Sequence, residues 1–418
     1  MEVTVTALGA IVGLALAIFL IIKKVHPVYG LILGALVGGL VGGAGVSGTV
    51  ALMIGGAQGI MPAVLRILTA GVLAGVLIGS GAASRIAETI VDKIGEKNSF
   101  IALIVAAFVL TAVGVFIDVA VITVAPIALA IGQRAKLSKS SILFAMIGGG
   151  KAGNIISPNP NTIAAADAFK VPLTSLMAAG IIPAIFGLLA TFFLVKLLVK
   201  KGDMVKQEEI SITSQERPGF FASILGPLVT IFLLALRPIA DISIDPLMAL
   251  PIGGIVGCLA MGKIRELNKY TIEGLAKMSG VAILLIGTGT ISGIIANSGL
   301  KDLLISGLEG GSLPAFILAP VAGILMSAAT ASTTSGTAVA SSVFGETILS
   351  LGIKPIAGAA MIHSGATVLD HLPHGSFFHS TGGSVFLDIK QRLKIIPYET
   401  LVGLTMSIVS AIIYGIIL

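Results

Sequence analysis

Polar residues along this chain are gathered into short clusters, and the apolar runs between them approach or reach membrane-spanning length. Two such runs, 3–22 and 27–46, open the chain on either side of Lys23, Lys24 and His26, and a third covers 60–80. About 20 predominantly apolar residues carry a helix across the hydrocarbon core, so each reads as a span. In the stretch 84–97, Ile86, Ile90, Val91 and Ile94 recur at helical spacing among charges, the pattern of an amphipathic helix lying in the interface. The run 99–133 carries one charge, Asp118 near its middle, and reads as two short spans or as a re-entrant hairpin tipped by Asp118. An interrupted segment (141–170) and a span (174–197) lead to the only long polar stretch, 198–218, which reads as a cytoplasmic linker between halves. Spans at 219–236, 246–261 and 279–296 follow, then an amphipathic piece near 298–310 and a hairpin-like run, 313–344. A second interrupted segment (356–385), the basic KQRLK at 390–394 and a final span, 398–418, close the chain.

Composition narrows the class. Of 418 residues, 56% are hydrophobic and 11% charged, with a mean hydropathy of +1.07. A soluble domain carries about 25% charged residues, which leaves the membrane class. The net charge of +6 comes from basic clusters between spans. That is the positive-inside pattern, and it argues against a nucleic-acid partner. It makes the turn at 23–26 cytoplasmic and puts the N-terminus outside. The first run lacks a basic n-region and a small-residue cleavage site, so it reads as a retained span. Cys258 is the single cysteine and supplies neither a disulfide nor a metal-ligand set. The 53 glycines suit close helix packing in lipid.

The interruptions carry the functional signal. KAGNIISPNPNT at 151–162 sits in an apolar, Gly-rich run, and Pro158 and Pro160 each remove a backbone donor and disfavour helix in the preceding residue. Irregular backbone at membrane depth survives only where protein packs around it or it lines a wet cavity. The second half repeats the first. Leu77-Ile78-Gly79-Ser80-Gly81 returns as Leu285-Ile286-Gly287-Thr288-Gly289 at an offset of 208. Ala145-Met146-Ile147 returns as Ala360-Met361-Ile362, and Pro158 falls on Pro373, both at 215. His26-Pro27 matches Asp245-Pro246 at 219, with the charge of the turn inverted. These features predict an all-α polytopic membrane protein of two inverted-topology repeats, 1–197 and 219–418, with broken helices at 141–170 and 356–385. Broken helices in inverted repeats form the substrate sites of secondary transporters.

Four breaks are expected to meet at the midplane: the Asp118 tip, Ser157–Thr162, Ala331–Thr337 and Asp370–Ser376. Half-helix N-termini after each break favour an anion, and hydroxyl and amide groups suit a carboxylate or polyol. Candidate substrate contacts are Asn154, Ser157, Asn159, Asn161 and Thr162 from the first broken helix. Ser332, Thr333, Thr334 and Ser335 join them from the second hairpin, and His371, His374, Gly375 and Ser376 from the second broken helix. Asp118 and His371 are the candidate proton-coupling groups, an intramembrane carboxyl and a side chain that titrates near neutrality. Asp118 also reads as a structural carboxylate paired with Lys151, and Lys151 as the counter-charge of a substrate carboxylate. His371 and His374 are three apart, but Pro373 lies between them and no carboxylate or cysteine set completes a zinc site. No metal and no cofactor are expected. The same two histidines with Asp370 are the one enzyme-like grouping, and the reading is a carrier, not an enzyme. GGGK at 148–151 lacks nucleotide-loop spacing, and Arg66 stands mid-span without an assigned partner.

At these residues the sequence resembles the gluconate permease (GntP) family of the ion-transporter superfamily, over nearly the whole chain. Phe116-Ile117-Asp118 leading to Ala125-Pro126 is similar to the family's aromatic-acidic segment, where Glu is commoner. Ser157–Thr162 resembles its P-H-P-x-P-T loop, with Asn159 in place of a histidine. Ala329-Thr330-Ala331-Ser332 resembles its A-T-G-S tip. His371–Phe377 looks like its H-x-N-D-x-x-F segment, with His374 where an acid is common. The resemblance implies proton symport of a small hydroxylated carboxylate. It also implies a homodimer in which a scaffold containing the spans of 3–80 flanks an elevator-type transport domain. With Asn159 and His374 departing from the pattern, smaller acids such as glycerate, lactate or hydroxybutyrate stand beside gluconate. Sodium coupling, and another anion such as a dicarboxylate, form the alternative. The expected location is the bacterial inner membrane, multi-pass, with basic loops cytoplasmic.

Overall fold

The computed structural model describes residues 4–199, 201–209, 217–300, 303 and 314–418. Among these the chain is all-helical, with two isolated bridges and no strand. Among the described residues six helices are long and apolar enough to cross a membrane. Large apolar side chains such as Phe221 and Ile239 are 85% and 77% exposed, a surface that lipid, not water, would cover.

Proline, glycine and small polar residues set the helix boundaries. Thr6 caps Ala7–Ile22 through its Oγ1, which accepts from the Gly9 amide at 3.2 Å. Pro27 and Pro246 each open a helix at its first position, where a missing N–H costs nothing. Asp245 caps the second of these by accepting from the Leu247 amide at 2.8 Å.

One packing group gathers Ala7–Ile22, Pro27–Val41, Gly45–Gly59 and Met61–Gly79 with Phe220–Ala240, Pro246–Ala260 and Leu267–Ala296. Leu267–Ala296 is its axis, lying against Met61–Gly79, Gly45–Gly59 and Pro27–Val41. The approach is close enough that a Cβ on Gly75 would fall 2.0 Å from the Tyr270 carbonyl, so only glycine fits there. A second group holds Ser99–Ala112, Ile117–Arg134, Lys139–Asn154 and Ile181–Val195 with Leu318–Thr330, Thr333–Ser350, Pro355–Gly365 and Ile396–Ala411. The groups meet where Leu267–Ala296 packs on Thr333–Ser350 and where Met61–Gly79 packs on Pro160–Ala168. Arg66 sits at the latter contact. It donates to both Asp245 oxygens, at 3.0 and 2.6 Å, and pairs with Asp167 of the facing helix.

Three features depart from the hydrophobic pattern. Gly45–Gly59 is a helix that its glycines and polar residues conceal, and it continues almost directly into Met61–Gly79. The span placed at 279–296 begins at Leu267, making a helix of 30 residues. Arg66, without an assigned partner in the sequence, has two carboxylates. The amphipathic stretch near 298–310 lies largely outside the described residues, as do 313 and, in the linker, 200 and 210–216. The described part of the linker is anchored by Lys139, which pairs with Glu209. Burial works to raise the Glu209 carboxyl, but Lys139 and the Lys206 amide hold it below the usual carboxylate range. That anchor is present above the ordinary carboxylate pKa and lost as pH falls through the depressed value.

Candidate functional site

Both interrupted segments are broken helices. Lys139–Asn154 stops, residues 155–159 run irregularly, and Pro160–Ala168 begins. Asn159 holds this break together. Its Oδ1 accepts from the Thr162 amide and hydroxyl, each at 3.1 Å, and its Nδ2 donates to the Asn154 carbonyl and Oδ1 at 2.8 and 2.6 Å. The Asn159 amide is thereby committed to capping, with Pro160 at the first helical position. Asn161 accepts from Thr334 of the second hairpin, joining the two halves. Ser157 is buried, and its hydroxyl has no partner among the described residues.

The second break joins Pro355–Gly365 to Ser376–Ser384. Gly375 precedes the second piece, so no side chain caps it and its first amides stay available. A Cβ on Gly375 would lie 2.5 Å from the Ala331 carbonyl and 2.6 Å from the Ala331 Cβ. Ala331 is the turn of the second hairpin, with a left-handed φ of 47°. Gly375→Ala therefore pushes hairpin and break apart. We expect it to cost about 1–3 kcal/mol by overpacking and to lower transport at least tenfold in proteoliposomes, whereas wild-type rates would show that the contact is idle.

The two runs with an interrupted apolar pattern are helix pairs that turn at Val113–Phe116 and at Ala331-Ser332. Asp118 lies in the first turn of Ile117–Arg134, and Ser332 caps Thr333–Ser350 by accepting from the Ser335 amide at 3.2 Å. Both turns and both breaks border one region. A cavity of about 350 Å³ is lined there by Asp118, Asn154, Ser332, Thr333, Thr334, Ser335, Asp370 and Ser376. Lys277, from the 30-residue helix of the other packing group, lines the same cavity. Three helices begin at its wall, at Ile117, Thr333 and Ser376, so three sets of free amides and positive dipole ends converge. Among the described residues, neither Asp118 nor Lys277 has an ion-pair or side-chain hydrogen-bond partner. A second cavity, about 440 Å³, lies beside Arg66, Asp167 and Asp245. Lys170 and Arg237 also line it, but neither break and none of the predicted contacts reaches it, so the smaller cavity, where breaks and turns meet, is the candidate site.

Behind the cavity wall lies a buried charged cluster. Lys151 pairs with Asp370 and not with Asp118, which corrects that alternative. The Lys151 ammonium also donates to the Thr367 carbonyl and contacts His371 Nδ1 at 3.0 Å. Asp370 accepts from the Thr333 hydroxyl at 2.5 Å, and its other oxygen lies 2.9 Å from His371 Nδ1. His371 is fully buried, whereas His374 is exposed and donates to the Ala329 carbonyl at 3.2 Å. The two histidines thus face different partners. Of the predicted contacts, Asn154, Ser332–Ser335 and Ser376 border the cavity. Ser157, Asn159, Asn161, Thr162, His371, His374 and Gly375 stand behind or beside its wall.

The profile of GntP family permeases matches residues 4–417. The chain belongs to the GntP permease family. It is 64% identical over 414 residues to an uncharacterized transporter of Haemophilus influenzae, covering 99% of each chain. A gluconate permease of Bacillus subtilis is 23% identical over 330 residues, 70% of this chain and 72% of that one. A high-affinity gluconate transporter of Escherichia coli is 22% identical over 362 residues, 79% and 80% of the two chains. The Alcanivorax borkumensis YdaH transporter, whose crystal structure is described as having an unusual topology, matches with a TM-score of 0.67 and 17% identity over 89% of each chain. At that identity the likeness speaks to fold alone. The family is one of integral membrane transporters, not enzymes. For this GntP member, Lys277 and Asp370 are the charged cavity residues that sequence reasoning did not count among the contacts. A lysine two positions before an apolar run looks like a loop residue until the helix is known to begin at Leu267.

Proposed function

We propose that this protein is a secondary active transporter that imports a small hydroxy-monocarboxylate or sugar acid, gluconate-like in chemistry, by proton symport with alternating access. One observation carries the reading: three helix N-termini and an unpaired lysine converge on one hydroxyl-lined cavity. Amides and the ammonium suit a carboxylate, and Ser332–Ser335 and Ser376 suit hydroxyl groups. Among the described residues Lys277 is the one cation lining the cavity, beside Asp118 and Asp370, and a single cation favours a monocarboxylate over a dicarboxylate.

The order of elements supports two inverted repeats: two spans, a long helix (in the first half the consecutive Gly45–Gly59 and Met61–Gly79), a helix pair, a broken helix and a closing span occur on each side of the linker. The two packing groups are then the scaffold and the moving domain of an elevator-type homodimer, with Arg66–Asp167 tying one to the other. The basic clusters support a cytoplasmic side for the loops at 23–26 and 390–394 and a bacterial inner membrane for the protein. Asp118 and His371 are the groups available for proton coupling, and proton is favoured over sodium.

Uptake of labelled gluconate, glycerate and lactate into proteoliposomes tests the proposal. We expect saturable uptake of at least one acid, and a KM raised about 10- to 100-fold in Lys277→Gln, the loss of one hydrogen bond to a charged group. No uptake of any hydroxy acid, or an unchanged KM, would refute the assignment of this cavity.

A further inference from the structure

The contacts around His371 fit one neutral tautomer, and a second proton on the ring would change them. The Lys151 ammonium has three protons and three acceptors around it: the Thr367 carbonyl, Asp370 Oδ1 and His371 Nδ1. This arrangement requires a lone pair on Nδ1. On the other side of the ring, Nε2 lies 3.2 Å from the Ile396 carbonyl, which only accepts, and 3.1 Å from the Thr400 hydroxyl. The neutral tautomer with its proton on Nε2 therefore satisfies the Lys151 and Ile396 contacts and leaves Nδ1 facing Asp370 Oδ1 at 2.9 Å, two acceptors that share the Lys151 ammonium.

A proton added at Nδ1 changes this pattern. It places an N–H 3.0 Å from an ammonium and turns it to Asp370 Oδ1 at 2.9 Å, with Glu399 Oε2 at 3.7 Å as the second anion facing it. Lys151 then loses one of its three acceptors and shares Asp370. Asp370 holds the Thr333 hydroxyl at the cavity wall through its other oxygen. The charged groups facing the imidazole are Lys151 from the first broken helix, Asp370 from the second, and Glu399 from the last helix, itself paired with Arg392. With a neutral imidazole these four charges cancel, and protonation leaves the cluster at +1.

We propose that His371 is the group that binds the transported proton, and that Lys151, Asp370 and Glu399 are positioning residues that transmit its charge to the substrate cavity through Thr333. The proposal deepens the transport reading and rests on it. One proton enters at Nδ1 from water on the side where the anion binds. It leaves to water on the other side, so the +1 of the cluster offsets one monocarboxylate and the loaded carrier is neutral. Asp118, at the opposite hairpin, accepts from the hydroxyl groups of the substrate and takes no part in proton transport.

Two assays with labelled gluconate in proteoliposomes separate these roles: counterflow at equal pH, which needs no net proton movement, and accumulation driven by an imposed pH gradient. His371→Gln, whose amide keeps a donor for the Ile396 carbonyl, fixes the cluster in its neutral state, and its counterflow is expected to fall and no longer to change with pH. It should lose more than nine-tenths of gradient-driven accumulation and show a flat pH profile. Asp118→Asn is expected to keep the wild-type pH profile and gradient response, with a raised KM. Calorimetry of gluconate binding to the wild-type protein in buffers of different ionisation enthalpy should show one proton taken up per anion. Gradient-driven accumulation by His371→Gln overturns the proposal. So does a His371→Gln protein that still takes up one proton with gluconate, and so does wild-type binding with no proton uptake. Absence of counterflow in the wild type fails at the earlier step, the transport reading itself.

Discussion

Lys151→Met is expected to destabilise the protein by about 3–5 kcal/mol and to abolish uptake, whereas Lys151→Met/Asp370→Leu recovers at least half of the stability and none of the uptake. The Lys151 and Asp370 side chains are 1% and 3% exposed, so removing one partner leaves a charge buried with no compensation. Replacing both removes the desolvation cost along with the attraction, which is why the double variant regains stability. Thermal unfolding in nanodiscs reads the first effect and proteoliposome uptake the second. Equal destabilisation in the single and double variants would mean that the pair does not act as a unit.

The second large effect is expected at Arg392, which is 1% exposed against a Glu399 that is fully buried. Its guanidinium is bidentate to Glu399, donates to the Phe378 carbonyl at 3.3 Å and stacks over the Phe378 ring at 4.7 Å. It therefore ties the final helix to the second piece of the broken helix. Arg392→Met should also cost about 3–5 kcal/mol. Arg392→Lys should recover only part of this, because an ammonium cannot reproduce the planar fork. The Lys151 and Arg392 pairs share His371, so a combined Lys151→Met/Arg392→Met variant should depart from additivity by at least about 0.5 kcal/mol. Strict additivity of the melting free energies would separate the two pairs.

How far the site could be read in advance depended on whether the signal was local. Pro158 and Pro160 break a helix wherever they stand, so the irregular stretch at 155–159 was legible, as was the turn placing Asp118 at a helix start. Asn159 was legible as a break residue, while its use as a cap for Thr162 depended on backbone geometry. Partners were not legible. Lys151 meets Asp370 across 219 residues, and Arg66 meets Asp167 and Asp245 across 101 and 179, contacts that only tertiary packing creates. Gly45–Gly59 was hidden because its glycines and polar residues weaken the apolar signal, although the neighbouring helices bury it in part. Lys277 was missed for a related reason: hydropathy marks the apolar portion of a helix and not its full length. The motif resemblance led to the right family, and the family by itself does not place a cation in the cavity.

The central claim is coupled movement of a proton and a hydroxy-acid anion, and internal pH is its most direct readout. Liposomes loaded with a pH-sensitive dye would receive gluconate, glycerate or lactate outside, with and without sodium, against protein-free vesicles that correct for passive acid entry. The account predicts protein-dependent internal acidification on addition of at least one acid, without sodium and lost in His371→Gln. Uptake with no change in internal pH, or uptake only when sodium is present, would contradict it.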